Sequence, residues 1–367
     1  MSEQSEAATA VPDEGSLSGN QAKSLSPVET GRALRAFIQT SGIWGAWVQI
    51  VGIGTPVLTG YALWLGATEV EIAYFISVVF FTSLAQVASP YLLGRSNRRK
   101  TFVFVAGCFE IVLYSSIVLI PLVLAGDDRI LAMGGLVALA MMCGQLVAPI
   151  FNEWLAVTTP QKILGKFTAR RTNAHLLMGI VAAYLVGRFI DFFPEPDRYM
   201  SFTVVYAGAA ALGIGGYLNL MRIPFRAHQH RSPNLLIPFR DRRFRILLLF
   251  YVTLHFGLGL AMPFYSVYML KTLQFSYARI ALLNGLYMAA MAIGFALWGT
   301  LVDRYGGRAI LQILVLPAAL GPALWSISGA DFYAPITAAM ILNGLVHAGI
   351  AVSTNTLLYA ILPDGNG

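Results

Sequence analysis

The sequence predicts an all-α protein that crosses a membrane about ten times and is built from two homologous halves. Three observations carry that prediction. The first is composition: of 367 residues, 57% are hydrophobic and only 12% charged, with a mean hydropathy of +0.66, whereas soluble domains carry roughly 25% charged residues. The second is length: apolar runs of about 20 residues recur along the chain, each enough to cross a hydrocarbon core about 30 Å thick. A membrane β-barrel would show alternating segments of about 10 residues instead. The third is internal repetition. Pro90 to Arg99 aligns without a gap on Gly299 to Arg308. Leu65-Gly66-Ala67-Thr68 and Ile72 align on Leu273-Gln274-Phe275-Ser276 and Ile280, and Asn152, Leu155 and Pro160 align on Asn355, Leu358 and Pro363. The offsets of 209, 208 and 203 residues are nearly constant, and each match falls at an equivalent helix end.

Residues 1–25, rich in Ser, Glu, Ala and Gly, are expected to form a disordered tail without a cleavable signal. Ser26-Pro27-Val28-Glu29 is a capping box with Pro at the first helical position. It predicts a short amphipathic surface helix through Arg35 that completes a tail of residues 1–40. Spans near 41–65, 70–93, 101–125, 130–157, 173–193 and 199–221 then make a six-helix bundle over residues 41–221. Residues 222–244 are basic and contain Pro224, Pro233 and Pro238, and read as the linker between the halves. Spans near 245–270, 277–299, 309–329 and 333–360 make a four-helix second bundle over residues 245–367. After Pro160 the first half continues with a basic loop and two more spans, while the sequence ends soon after Pro363. The sequence is therefore expected to be a C-terminally truncated piece that lacks two further helices.

The net charge of +7 falls in a pattern. With the N-terminus inside the cell, the inside segments hold Arg32, Arg35, Arg95, Arg98, Arg99, Lys100, Lys162, Lys166, Arg170, Arg171, most of the linker arginines, Arg304 and Arg308. The outside segments keep only Arg129, Arg188, Arg198, Lys271 and Arg279. This positive-inside distribution predicts a multi-pass protein of the cell inner (plasma) membrane with a cytoplasmic N-terminus. The lipid bilayer is then a partner, and nucleic acid is not: the charges are split among loops and no recognition fold accompanies them. Cys108 and Cys143 lie within apolar runs, so no disulfide framework is expected. No His/Cys/Asp cluster has metal-ligand spacing, and the Gly-rich run 208–216 lacks the Lys and hydroxyl of a phosphate-binding loop. No cofactor is expected, nor drive by ATP.

The polar run Gly299-Thr300-Leu301-Val302-Asp303-Arg304-Tyr305-Gly306-Gly307-Arg308 separates two long apolar runs. It is a tight turn at a membrane face, with Asp303 and Arg304 at the end of one helix and Arg308 at the start of the next. Charge pairing and helix-end dipoles can hold two helices at a fixed angle there. The run resembles the signature loop of the major facilitator superfamily, Gly-x-x-x-Asp-Arg-x-Gly-x-Arg, at every fixed position: Gly299, Asp303, Arg304, Gly306 and Arg308. In the repeated copy Pro90, Gly94 and Asn97 replace the first Gly, the Asp and the second Gly, while Arg95, Arg99 and Lys100 remain. The basic loop from Thr159 to Arg171 is similar to the loop between helices 4 and 5 of many bacterial members. The resemblance covers residues 40–367. It implies two bundles around a central cavity that rock to open alternately to each side, with the signature loop acting as a latch.

The resemblance also implies that helices 1, 4, 7 and 10 line the cavity. His255 and His347 lie near the middles of spans 7 and 10, with Asn343 one turn before His347. A histidine titrates near physiological pH and can bind a proton or a polar solute group; the plainer role is an interhelical hydrogen bond. Glu110 is the one acid deep in an apolar run, and an ionisable group at that depth is costly enough to mark function. Its plainer role is a structural hydrogen bond. Glu153 and Asn152 sit near the inner end of span 4, and Gln49 and Gln145 lie deeper in spans 1 and 4. Trp44 and Trp47 are expected to be interfacial anchors, and Arg188 and Asp191 to pair with each other. The function expected is secondary active transport of a small solute by alternating access, coupled to H+ through Glu110, His255 and His347, in a monomer with no enzymatic activity. Two other classes fit less well. A membrane-embedded lipid-modifying enzyme needs clustered catalytic groups, and the histidines are scattered. A solute sensor or scaffold on a transporter fold would bind without translocating.

Overall fold

A computed structural model describes residues 26–93, 98–225, 238–329 and 332–361. Among them the regular structure is helical throughout: α1 (Pro27–Val51), α2 (Pro56–Trp64), α3 (Glu69–Thr82), α4 (Ala85–Leu93), α5 (Arg99–Ser116), α6 (Ile120–Val123), α7 (Asp128–Thr158), α8 (Leu164–Phe192), α9 (Arg198–Leu220), α10 (Arg242–Val267), α11 (Tyr277–Tyr305), α12 (Gly307–Ser326) and α13 (Ala334–Ile361). They supply ten stretches long and apolar enough to cross a membrane: α1–α2, α3–α4, α5–α6, α7, α8, α9, α10 with the π-turn Tyr268–Thr272, α11, α12 and α13. The expected number of spans is the number observed among the described residues. Arg95, the tail 1–25, linker residues 226–237 and Pro363 lie outside them.

Local chemistry explains the boundaries, including those that differ from expectation. Ser26 N–H donates to Glu29 Oε2 at 2.9 Å and Glu29 N–H to Ser26 Oγ at 3.2 Å, so the capping box is formed. The helix it starts does not stop at Arg35 but runs unbroken to Val51, because no Gly or Pro pair intervenes before Gly52. There the chain turns through Gly54 at φ +77°, and Thr55 caps α2 with its hydroxyl. Helix α8 begins at Leu164, nine residues before the expected 173, so Lys166, Arg170 and Arg171 ride on a helix and not in a loop. That segment has no proline after Pro160 and is rich in Lys, Leu, Ala and Arg, which favour helix; their charge had suggested a loop. Helix α11 likewise continues past 299 to Tyr305, carrying Asp303 and Arg304 in its last turn.

Packing ties the helices together through small residues. A Cβ at Gly45 of α1 would collide with the backbone of His175 on α8, and one at Gly179 would lie 3.0 Å from the Gly45 carbonyl oxygen. These two helices therefore meet backbone to backbone, the close approach that small residues permit in membranes. Their core is aromatic: Phe37, Tyr61, Tyr114, Trp154, Phe202 and Tyr206 are fully buried. In α10–α13, two smaller clusters centre on Ile280, Ile336 and Ala339, and on Val302, Ile310 and Leu314.

The two sets, α1–α9 and α10–α13, meet asymmetrically. One face of the molecule carries the start of α1, the α7–α8 turn, the start of α10 and the α11–α12 turn, and is the basic face. Among the described residues, the side-chain bonds that cross between the sets lie toward the other face. Ser266 Oγ donates to the Gly54 carbonyl at 2.8 Å, Lys271 Nζ pairs with Glu69 Oε1 at 2.7 Å, and Asp191 accepts from the N–H groups of Tyr277 and Ala278 at 2.8 and 2.9 Å. The expected Arg188–Asp191 pair is not formed. Asp191 instead caps the first turn of α11, where two unpaired N–H groups and the helix dipole attract a carboxylate.

Candidate functional site

Glu110 stands on α5 and points into the helices that surround it. Tyr217 of α9 donates its hydroxyl to Glu110 Oε2 at 3.1 Å. On α7 the neighbouring position is Gly144, where any Cβ would collide with the carboxylate, so a glycine makes the room the acid occupies. Among the described residues Glu110 forms no ion pair. It lines a cavity of about 300 Å³ with Trp44, Trp47, Gln145, Phe151, Asn152, His175 and Tyr217 among its walls. That volume is at the small end of the range for small-molecule sites.

The cavity wall is a row of rings ending at the acid. Tyr217 meets Trp44 edge-on with centroids 5.2 Å apart, and Trp44 lies 4.9 Å from Phe151. Trp47 is 7% exposed, packs edge-on against Tyr114 at 5.4 Å, and has an indole N–H with no hydrogen-bond partner. Trp44 and Trp47 are thus not interfacial anchors. They sit where α1 faces α5, α7 and α9, and an aromatic a few turns into a helix looks the same in sequence whichever way it points. The other titratable groups around Glu110 and Tyr217 are Cys108 and Tyr114 on α5, Cys143 on α7 and His175 on α8.

Of the expected site residues, Glu110, Gln145 and Asn152 come together in this cavity. Gln145 also accepts from the Gln86 amide of α4. The rest are placed elsewhere. Gln49 lies over Gly179, wedged between α1 and α8. Glu153 is held by Arg99, whose Nη1 is 2.9 Å from both carboxylate oxygens, and Arg99 is 3% exposed. This pair closes the end of α5 against α7, so Glu153 is a packing acid and Arg99 no longer a loop residue. Lys100 likewise turns inward, donating to the Ile223 carbonyl at 2.8 Å and lying 5.7 Å over the Trp154 ring.

The histidines of the second set make their own contacts. His255 stacks on Tyr251 at 4.0 Å, with Nδ1 3.0 Å from the Tyr251 carbonyl one turn back. His347 Nδ1 is 3.3 Å from the Tyr287 hydroxyl of α11. The Asn343 side chain points elsewhere and fills the notch left by Gly321 of α12. In the signature loop, Gly306 has φ +82°, a backbone that favours glycine. A Cβ at Gly307 would lie 2.7 Å from the Ser353 carbonyl oxygen. Asp303 and Arg308 are exposed and make no ion pair among the described residues, and Arg304 lies over the Tyr305 ring at 5.2 Å. The charge pairing expected in this loop is not formed among the described residues. His175 and Tyr217 were not foreseen as site residues. Neither left a signal in the sequence: Tyr217 lies three residues before the end of α9, in a span that is not the chain neighbour of the one that carries Glu110.

The family model described as the Major Facilitator Superfamily matches residues 247–366. Solved structures with the same fold include the nucleoside transporter NupG, at TM-score 0.64 and 15% identity over 89% of this chain and 80% of that one. They also include a bacterial homologue of the iron transporter ferroportin in an inward-facing state, at TM-score 0.65 and 16% identity over 93% and 86%. The xylose transporter XylE from E. coli, partially occluded and inward open, matches at TM-score 0.61 and 13% identity over 90% and 84%. No curated protein sequence matches the chain.

Proposed function

For a chain that has the major facilitator superfamily fold and matches the superfamily's model over residues 247–366, we propose secondary active transport of a small solute by alternating access, coupled to protons at Glu110. The observation that carries the reading is a carboxyl group with no basic partner among the described residues, held by Tyr217 at the wall of a cavity. An ionisable group in that setting is costly unless it binds a proton or a cation. The bundles of residues 41–221 and 245–367, joined by 222–244, are the rocking bodies. The basic face is cytoplasmic by the positive-inside rule, so the crossing bonds of Ser266, Lys271 and Asp191 close the outer side. Asp303, Arg304 and Arg308 engage when the basic face closes. The molecule acts as a monomer in the plasma membrane and carries no catalysis.

The test is solute-dependent proton movement in membrane vesicles. Wild-type protein should discharge an imposed pH gradient when a transported solute is added, and Glu110→Gln should lose the discharge. Solute flux that is unchanged when the gradient is collapsed would refute the coupling.

A further inference from the structure

The Glu110 cavity has a chemistry narrower than that of a generic solute site. Its one acid stands at the end of a ring wall formed by Tyr217, Trp44 and Phe151, with Trp47 beside it. No Lys or Arg lines it. A carboxylate that faces a membrane cavity without a Lys or Arg repels anions and gains from a cation. Aromatic faces add cation–π attraction when the site is dry. A bare metal ion would want several strong ligands, and no group of three His, Cys, Asp or Glu side chains placed to hold one occurs among the described residues. A cavity of about 300 Å³ also exceeds what a bare ion needs.

We infer that the cavity between α1, α5, α7 and α9 is a binding site for small organic cations, amines or quaternary ammonium compounds, whose charge sits at Glu110 against the Tyr217–Trp44–Phe151 wall. The inference rests on reading this cavity as the solute site. Proton and organic cation then compete for the same carboxyl: the cation binds the carboxylate, and the proton it displaces leaves to water. Cys108, Tyr114, Cys143, His175 and Tyr217 are the other titratable groups facing the acid. They are neutral as thiols and phenols, and only His175 adds charge as pH falls, which opposes cation binding in the same direction.

The experiment measures thermal unfolding of the purified full chain with three benzyl probes: benzyltrimethylammonium, its uncharged carbon isostere neopentylbenzene, and the smaller anion phenylacetate. The ammonium should raise the unfolding temperature by an amount that grows with the logarithm of its concentration over its dissociation constant; it should bind at least tenfold more tightly than the isostere, and the anion should not stabilise. Binding should weaken as pH is lowered in the wild-type protein, a readout that needs no variant. Glu110→Gln should weaken the ammonium at least tenfold, and Trp44→Leu about fivefold. Equal binding of ammonium and isostere, or ammonium binding that ignores pH, overturns the inference. If the ammonium binds as expected but no pH gradient is discharged in vesicles, the cation site stands and the proton-coupled transport falls. If a gradient is discharged by another solute that the ammonium never competes with, the coupling stands and the cation class falls.

Discussion

Single residues decide where this protein tolerates change. Arg99 and Glu153 are the clearest case, a buried guanidinium on a half-buried carboxylate. Removing one partner strands the other charge, so Arg99→Met should destabilise by on the order of 3 kcal/mol, while the double replacement Arg99→Met with Glu153→Leu should recover most of that loss. Unfolding midpoints of the three variants and the wild type, taken as a cycle, measure it. Gly45→Ala should also destabilise, by about 1–3 kcal/mol, because the added methyl has only the His175 backbone to occupy. How far such residues are legible in sequence follows from cost. Glu110 stood out because an acid in an apolar run is expensive wherever it points. Trp44, Trp47 and His175 did not, because aromatic groups are tolerated on either side of a membrane helix and only packing tells them apart. Asn343 and His347 share a helix face by spacing, yet a glycine notch on α12 draws one of them away.

At the scale of elements, the joint between α8 and α11 is the informative contact. Asp191 closes two N–H groups of α11 at 2.8 and 2.9 Å, a carboxylate at a helix N-terminus of the kind worth up to about 2 kcal/mol. Asp191→Ala should loosen this side of the molecule. In a background lacking Cys108 and Cys143, a cysteine placed at Ser266, which is 7% exposed, should react with a membrane-impermeant maleimide severalfold faster once Asp191 is removed; an unaltered rate would mean that the cap does not hold the face shut. Asp303→Asn should behave in the opposite way. Asp303 is exposed and makes no ion pair among the described residues, so the unfolding temperature should barely move, while solute flux should fall on the proposed reading that the loop engages in the other conformation. The sequence pointed to the loop through its residue pattern. It could not point to the Asp191 cap, since backbone N–H groups leave no mark in a sequence and Arg188 offered a nearer partner.

For the whole molecule, composition and run length made the ten spans among the described residues legible, because the bilayer imposes length and hydropathy on every crossing helix. Which ends of the halves touch was not legible, since that depends on conformation as well as on sequence. The backbone contact between α1 and α8 bears on how those ends part. From His175, pressed against Gly45, to Asp191 at the far end of α8 is 16 residues, or roughly 24 Å of helix. Helix α8 runs from the wall of the Glu110 cavity to the Asp191 cap on α11. A tilt of only about 5° at the cavity end swings the far end by roughly 2 Å, enough to carry the Asp191 bonds well past hydrogen-bonding distance. On the proposed reading of the cavity as the solute site, a few degrees of tilt where Trp44 and His175 line it is amplified along α8 into the parting of a contact two dozen ångströms away.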